Sequence, residues 1–181
     1  SYLTRYMLEC PYPQLFSPVT ARCEHYRDVT CGSRRELVDQ CDYYSYRCLS
    51  AHCMPCRVRH PSCKGLSDGS QVFRGRQWSP WYVDCQDQRT VSTATCPRDH
   101  YLGMTQFFHP VRRECVSLYE IPREHSGLQL NCSDKADGNH ADDVTFRPDL
   151  YYRCHGGNLV DIRRCPSGFR FDASVPGCVS R

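Results

Sequence analysis

The chain has 181 residues, a formal net charge of +3 with histidines neutral, and 15 cysteines. Cysteine at that density in a short chain marks a disulfide scaffold, because small units bury too little apolar surface to offset chain entropy and are stapled covalently instead. An oxidising compartment, secreted or extracellular, is therefore expected. Lysine and arginine are dispersed, so charge nominates no nucleic acid or acidic mineral as partner, and no apolar run approaches the roughly 20 residues that span a bilayer as a helix.

The N-terminus, SYLTRYMLEC, has neither an initiating Met nor signal-peptide architecture, and a processed product or a fragment is expected. The first element is CPYPQLFSPVTARC, residues 10–23, a Cys-Pro opening, twelve intervening residues and a closing Cys. Residues 32–62 follow as a cysteine-rich connection containing CDYYSYRCLSAHCMPC; SRRELVDQC supplies at most a turn or two of helix. From residue 63 the β-prone runs WYVDC, RTVSTATC and FFHPVRREC alternate with turn residues, which reads as strands and hairpins. Residues 117–131, SLYEIPREHSGLQLN, are expected as a linker. Beyond it DLYYRC, NLVDIRRC and GFRFDAS repeat the strand pattern, with Gly156-Gly157-Asn158 as a turn between two strands.

Two cysteine sets share one frame: Cys63, Cys85, Cys96, Cys115 and Cys132, Cys154, Cys165, Cys178 both have gaps of 21 and then 10 residues. Asp68-Gly69 and Asp137-Gly138 fall in register, as do Tyr82 and Tyr151 before the second cysteine, and Cys96-Pro97 and Cys165-Pro166. The last gaps differ, 18 residues against 12, yet Phe108 and Phe171 each lie seven before the closing cysteine, so DHYLGMTQFF reads as a lengthened hairpin loop. Residues 10–23 fit the same last gap, with Phe16 in the Phe position, which places the start of the chain inside a repeat. The expected organisation is a truncated repeat over 1–31, the connection 32–62, a module over 63–116, the linker 117–131 and a second module over 132–181. The fold class is small, disulfide-rich and all-β, in tandem modules each of a three-stranded sheet plus a two-stranded hairpin.

These residues resemble the peritrophin-A, or type 2 chitin-binding, domain. Its signature is an aromatic pair before a cysteine, about ten residues to Cys-Pro, then Gly-x-x-Phe-Asp and a final cysteine; YYRCHGGNLVDIRRCPSGFRFDASVPGC matches almost position by position. The family has six cysteines, paired first with third, second with sixth and fourth with fifth, and both complete repeats here lack the second and sixth. The resemblance thus implies Cys63–Cys85, Cys96–Cys115, Cys132–Cys154 and Cys165–Cys178, with Cys10–Cys23 in the truncated repeat. Each closed loop contributes roughly 3 kcal/mol in the chain-entropy model. Cys31 falls at the sixth position of a repeat whose second cysteine would lie upstream, which marks it as the unpaired thiol. Cys41, Cys48, Cys53 and Cys56 receive no assignment. The cysteine-rich stretch followed by HPSCKGLSDG resembles the lead-in to chitin-binding domains in molluscan shell matrix proteins of the Pif type.

Chitin presents uncharged pyranose faces and acetamido groups, so binding calls for exposed rings with amide, carboxylate and hydroxyl partners. The candidates are Trp78, Trp81 and Tyr82, with Tyr101 and Phe107 on the long hairpin; in the second repeat they are Tyr151, Tyr152 and Phe169, with Asn158 and Asp172 as polar partners. Pro80 breaks regular strand alternation between the two tryptophans and favours their exposure, whereas Phe108 and Phe171 are expected in the core. Tethered modules on one fibre raise avidity about a hundredfold where the linker permits.

Other chemistries find less support. Cys53-x-x-Cys56 with His52 and His60 has zinc-like spacing but sits within a disulfide pattern and has no second Cys-x-x-Cys after it, so no metal or other cofactor is expected. Asp134, Asp137, Asp142 and Asp143 miss the EF-hand spacing and read as an acidic loop. No carboxylate pair lies in a recognisable catalytic motif, so an enzyme is not expected. Asn131-Cys132-Ser133 is a glycosylation sequon whose middle residue is expected in a disulfide, which argues against occupancy. The functional expectation is a secreted, non-catalytic protein of an extracellular matrix that binds chitin or chito-oligosaccharide, as in a mollusc shell framework, with no nucleic-acid or membrane partner. The alternative on the same scaffold is a matrix module that binds protein or calcium carbonate.

Overall fold

Short runs of β-branched and aromatic residues bounded by Gly, Pro, Asp and Asn become short strands, and no segment supports a long helix. In the computed structural model, which describes residues 7–181, the first six residues of the expected half-repeat 1–31 lie outside the described residues. The protein is small and all-β, with fourteen strands in six small sheets and seven disulfides. The strands are β1 (Leu15–Ser17), β2 (Arg22–Glu24), β3 (Gly69–Val72), β4 (Trp81–Gln86), β5 (Arg89–Thr95), β6 (Arg98–Asp99) and β7 (Met104–Thr105). They continue as β8 (Phe107–His109), β9 (Glu114–Val116), β10 (Gly138–Ala141), β11 (Leu150–His155), β12 (Asn158–Arg164), β13 (Phe169–Asp172) and β14 (Gly177–Ser180). One four-residue helix, α1 (Cys56–Arg59), and five single 3-10 turns complete the described residues.

Both repeats contain a three-stranded antiparallel sheet followed by a two-stranded hairpin, β3-β4-β5 with β8-β9 and β10-β11-β12 with β13-β14. The shared Asp-Gly acquires a physical reason. The carboxylate of Asp68 accepts the Asp87 N–H at 2.8 Å, and that of Asp137 accepts the Gly156 N–H at 2.7 Å, so each aspartate ties the first strand to the turn joining the second and third. The glycines after them sit at φ +98 and +129, where a side chain would be strained. A register shift after Asp84 and after Arg153 places an equivalent bulge beside Cys85 and Cys154.

Five of the disulfides join the cysteines that the resemblance pairs: Cys10–Cys23, Cys63–Cys85, Cys96–Cys115, Cys132–Cys154 and Cys165–Cys178. The connection adds Cys41–Cys56 and Cys48–Cys53, and Cys31 is the free thiol. Seven disulfides fit a secreted protein, and no helix among the described residues is long and apolar enough to cross a membrane.

The residues form two compact units, one reaching to Thr95 and including Pro110–Glu114, the other comprising Cys96–His109 with Cys115–Arg181. In the first unit, Leu15, Tyr26 and Tyr43 are buried with Tyr12 and Tyr46 packed against them, and Cys63, Phe73, Val83 and Cys85 form a separate small core. Arg89 joins the connection to this unit: its guanidinium pairs with Glu36 at 2.6 Å and lies 3.8 Å from the Tyr26 ring centroid. Burial pushes the Tyr43 phenol up to about 12, and its hydroxyl donates to the Gln14 carbonyl at 2.9 Å.

The second unit has the larger core: Leu102, Tyr119, Leu130, Cys132, Leu150, Tyr152 and Cys154. Three of its members alter the expected organisation. Leu102 comes from the lengthened loop of the first repeat, where β6 and β7 pair as an additional hairpin. Tyr119 and Leu130 come from residues 117–131, which are packed into the core rather than strung between modules, because a capped 3-10 turn (Ser117 and Glu120) directs Tyr119 inward.

Tyr119 donates its hydroxyl to the buried Asp142 carboxylate at 2.9 Å, and the same carboxylate accepts the Val144 and Thr145 N–H groups at 3.0 Å. Burial alone would raise Asp142, but these donors and the Thr145 hydroxyl outweigh it and hold the carboxyl below its ordinary range. A depressed folded pKa means stabilisation that is complete above the unfolded value, about 3.9, and lost as pH falls through the folded one. Urea unfolding between pH 6 and pH 3 should show falling stability in the native protein and a shallower fall in Asp142→Asn, which also costs about 1–3 kcal/mol at pH 7.

Candidate functional site

The sequence-derived ring candidates separate into different environments. Among the ring candidates of the first unit Trp81 is exposed, 38% accessible at the start of β4. It meets the buried Phe73 ring edge-on at 6.1 Å, and the Arg76 guanidinium lies 5.0 Å from both ring centroids. Tyr82 is half-buried and points to the opposite sheet face, as successive strand residues must, so Trp81 and Tyr82 cannot share one platform. Trp78 is half-buried, at φ +57.

Two candidates do meet in the second unit. Tyr101, 55% exposed, and Phe169, 39% exposed, line one shallow open groove of about 510 Å³ with Asp149, Arg164, Ser167 and Arg181. Arg164 organises it. Its backbone N–H donates to the Tyr101 hydroxyl oxygen at 2.9 Å, and its guanidinium donates to the Tyr101 carbonyl at 3.3 Å and to Asp149 at 2.7 Å. Arg147 donates to the same carboxylate at 3.0 Å; that pairing, with Arg164, holds Asp149 below the ordinary carboxyl range against the opposing effect of burial. The carboxylate is thus ionised and internally neutralised, and Arg181 also lines the groove. Two rings flanking guanidinium and hydroxyl groups can cover the CH faces of a sugar while bonding its oxygens.

The remaining candidates lie elsewhere. Tyr151 stacks flat on Phe171 at 4.8 Å with 12° between planes, so one of its faces is covered. Phe107 is half-buried on β8 beside the buried Phe108. Asn158 is exposed on the turn, where its amide donates to the Gly156 carbonyl at 3.1 Å, and Asp172 is engaged by the N–H and hydroxyl of Ser174 at 2.8 and 2.6 Å.

Tyr152 is a correction: it is fully buried, 0% exposed, and cannot meet a ligand. Strand alternation gives the reason, because Leu150, Tyr152 and Cys154 share the inward face of β11 while Tyr151 faces the other way. The disulfide cysteine at the end of the run carried that parity signal. For Asp149, Arg164, Ser167 and Arg181 no comparable signal exists, since each reaches the groove through tertiary packing.

The rival chemistries resolve into structural roles. Cys53 and Cys56 are bonded to Cys48 and Cys41, and so present no thiolates. Asp142 is the buried hub, Asp143 pairs with Lys135 at 2.9 Å and Asp137 holds the turn, so the acidic run is dispersed over separate tasks. Among the described residues no group of three or more His, Cys, Asp or Glu is placed to hold a metal. No protein-family model matches the chain, and no curated protein matches it.

Proposed function

We propose that the protein is a secreted, non-catalytic chitin-binding protein of the peritrophin-A type that attaches to or organises a chitinous extracellular matrix of the molluscan shell kind. The observation that carries this reading is the groove lined by Tyr101, Phe169 and Arg164. Its guanidinium groups suit acetamido and hydroxyl oxygens, and its rings suit pyranose faces. Trp81 over Phe73 supplies a second exposed ring in the first unit, so more than one contact per chain is available to an extended polymer. Hydrolysis by the usual carboxylate pair is disfavoured because the Asp149 side chain, which lines the groove, is held by two arginines.

Chitin-bead retention tests the reading. The native chain is retained and remains so in high salt, because the ligand is uncharged. Tyr101→Ala and Phe169→Ala each weaken binding by about 1 kcal/mol, roughly fivefold, and Trp81→Ala with Trp78→Ala reports the contribution of the first unit. Failure of the native chain to bind chitin overturns the proposal, and binding to calcium carbonate alone would favour a mineral-contacting matrix module. Retention abolished by salt would redirect the groove toward an acidic polysaccharide.

A further inference from the structure

We propose that Asn131 carries an N-linked glycan. Asn131-Cys132-Ser133 satisfies the acceptor pattern, with a middle residue other than proline. Asn131 is exposed between the buried Leu130 and Cys132, and its side-chain carbonyl oxygen accepts the Ser133 N–H at 2.8 Å and the Ser133 hydroxyl at 2.7 Å. Beside it opens a shallow concavity of about 490 Å³ bounded by Arg123, Glu124, Gln129 and Leu130, so an attached sugar has room on this face of the second unit. None of those residues lines the Tyr101–Phe169 groove, and the inference rests on secretion rather than on chitin binding.

The obstacle is the disulfide of Cys132, and the order of synthesis removes it. Its partner Cys154 lies 22 residues downstream. At about 5–20 residues per second the sequon precedes that partner by roughly 1–4 s, so the transferase meets Asn131 while Cys132 is still reduced and the chain unfolded. In the transfer, Nδ2 of Asn131 attacks the anomeric carbon of a lipid-diphosphate-linked oligosaccharide. The C–N bond forms, the C–O bond to diphosphate breaks, the lipid diphosphate departs and the Nδ2 proton passes to a base of the transferase. No redox change is involved. Once the chain folds, the modified side chain stays at the surface while Leu130 and Cys132 enter the core on either side.

The test uses the full chain secreted from a eukaryotic cell. Intact mass should exceed that of the oxidised polypeptide, fall on treatment with peptide:N-glycosidase, and leave Asp in place of Asn131 in the corresponding peptide. Ser133→Ala should lose the added mass and Ser133→Thr should keep it. A native secreted protein with the mass of the bare polypeptide, and an unmodified Asn131 peptide before digestion, overturns the proposal. That measurement decides the matter even where a variant fails to fold.

Discussion

Replacing Cys132 and Cys154 together with alanine should cost the second unit about 2–5 kcal/mol and lower its unfolding midpoint more than replacing Cys165 and Cys178. Loop length explains little of the difference, since 22 against 13 residues amounts to roughly 0.5 kcal/mol in the chain-entropy model. Burial explains more. Cys132 and Cys154 are 3% and 1% exposed inside the Leu150–Tyr152 core, so their sulfurs also fill space, whereas Cys178 is half-buried in a hairpin. The Cys63–Cys85 bond has the same sequence separation and the same burial in the first unit, and should show the same cost there. Urea unfolding of the three double variants checks this. A Cys165–Cys178 loss smaller than the other two by no more than roughly 0.5 kcal/mol would mean that the bonds act on the unfolded chain alone and that packing around the sulfurs contributes nothing.

Cysteine spacing made the sheets and hairpins legible because it is a covalent pattern with a fixed reach, and the turn between β11 and β12 was legible because Gly156 and Gly157 occupy φ +56 and +75. The equivalent turn of the first repeat uses Asp87 and Gln88 at φ +48 and +61, with no glycine to announce it. Tertiary bonds compensate there: Asp87 accepts from Arg27 at 2.7 Å and from Tyr26 at 2.8 Å, and Gln88 accepts from the Gly65 N–H at 3.0 Å. Local pattern also missed the segment 117–131, where Pro, Ser and Gly read as a linker but Tyr119 and Leu130 decide its fate through burial. The candidate site was half legible. Tyr101 and Phe169 stood out as rings beside hairpins, while their meeting depends on Arg164 bonding the Tyr101 backbone and side chain, a contact between distant residues that no periodicity encodes.

Gly127→Ala is expected to be the most damaging single substitution in the second unit, at about 3 kcal/mol or more and a fall in thermal midpoint of roughly 10 °C or more. A Cβ on Gly127 would stand 1.9 Å from the Ile121 carbonyl oxygen and 2.4 Å from its carbon. Both are backbone atoms of a residue with no exposed surface, so no rotamer change can relieve the clash. Opening the loop would break the Leu128 N–H bond to the Leu118 carbonyl at 2.8 Å and the Gln129 N–H bond to Ile121 at 3.2 Å, and would pull Leu130 from the core. Gly156→Ala provides the contrast: its Cβ meets nothing within 4 Å, and the residue's φ of +56 costs only the left-handed strain of about 1–2 kcal/mol. Thermal unfolding of the two variants therefore separates steric exclusion from backbone strain. If both lose the same midpoint, Gly127 is not pressed against Ile121, and residues 117–131 are held to the second unit by their side chains alone.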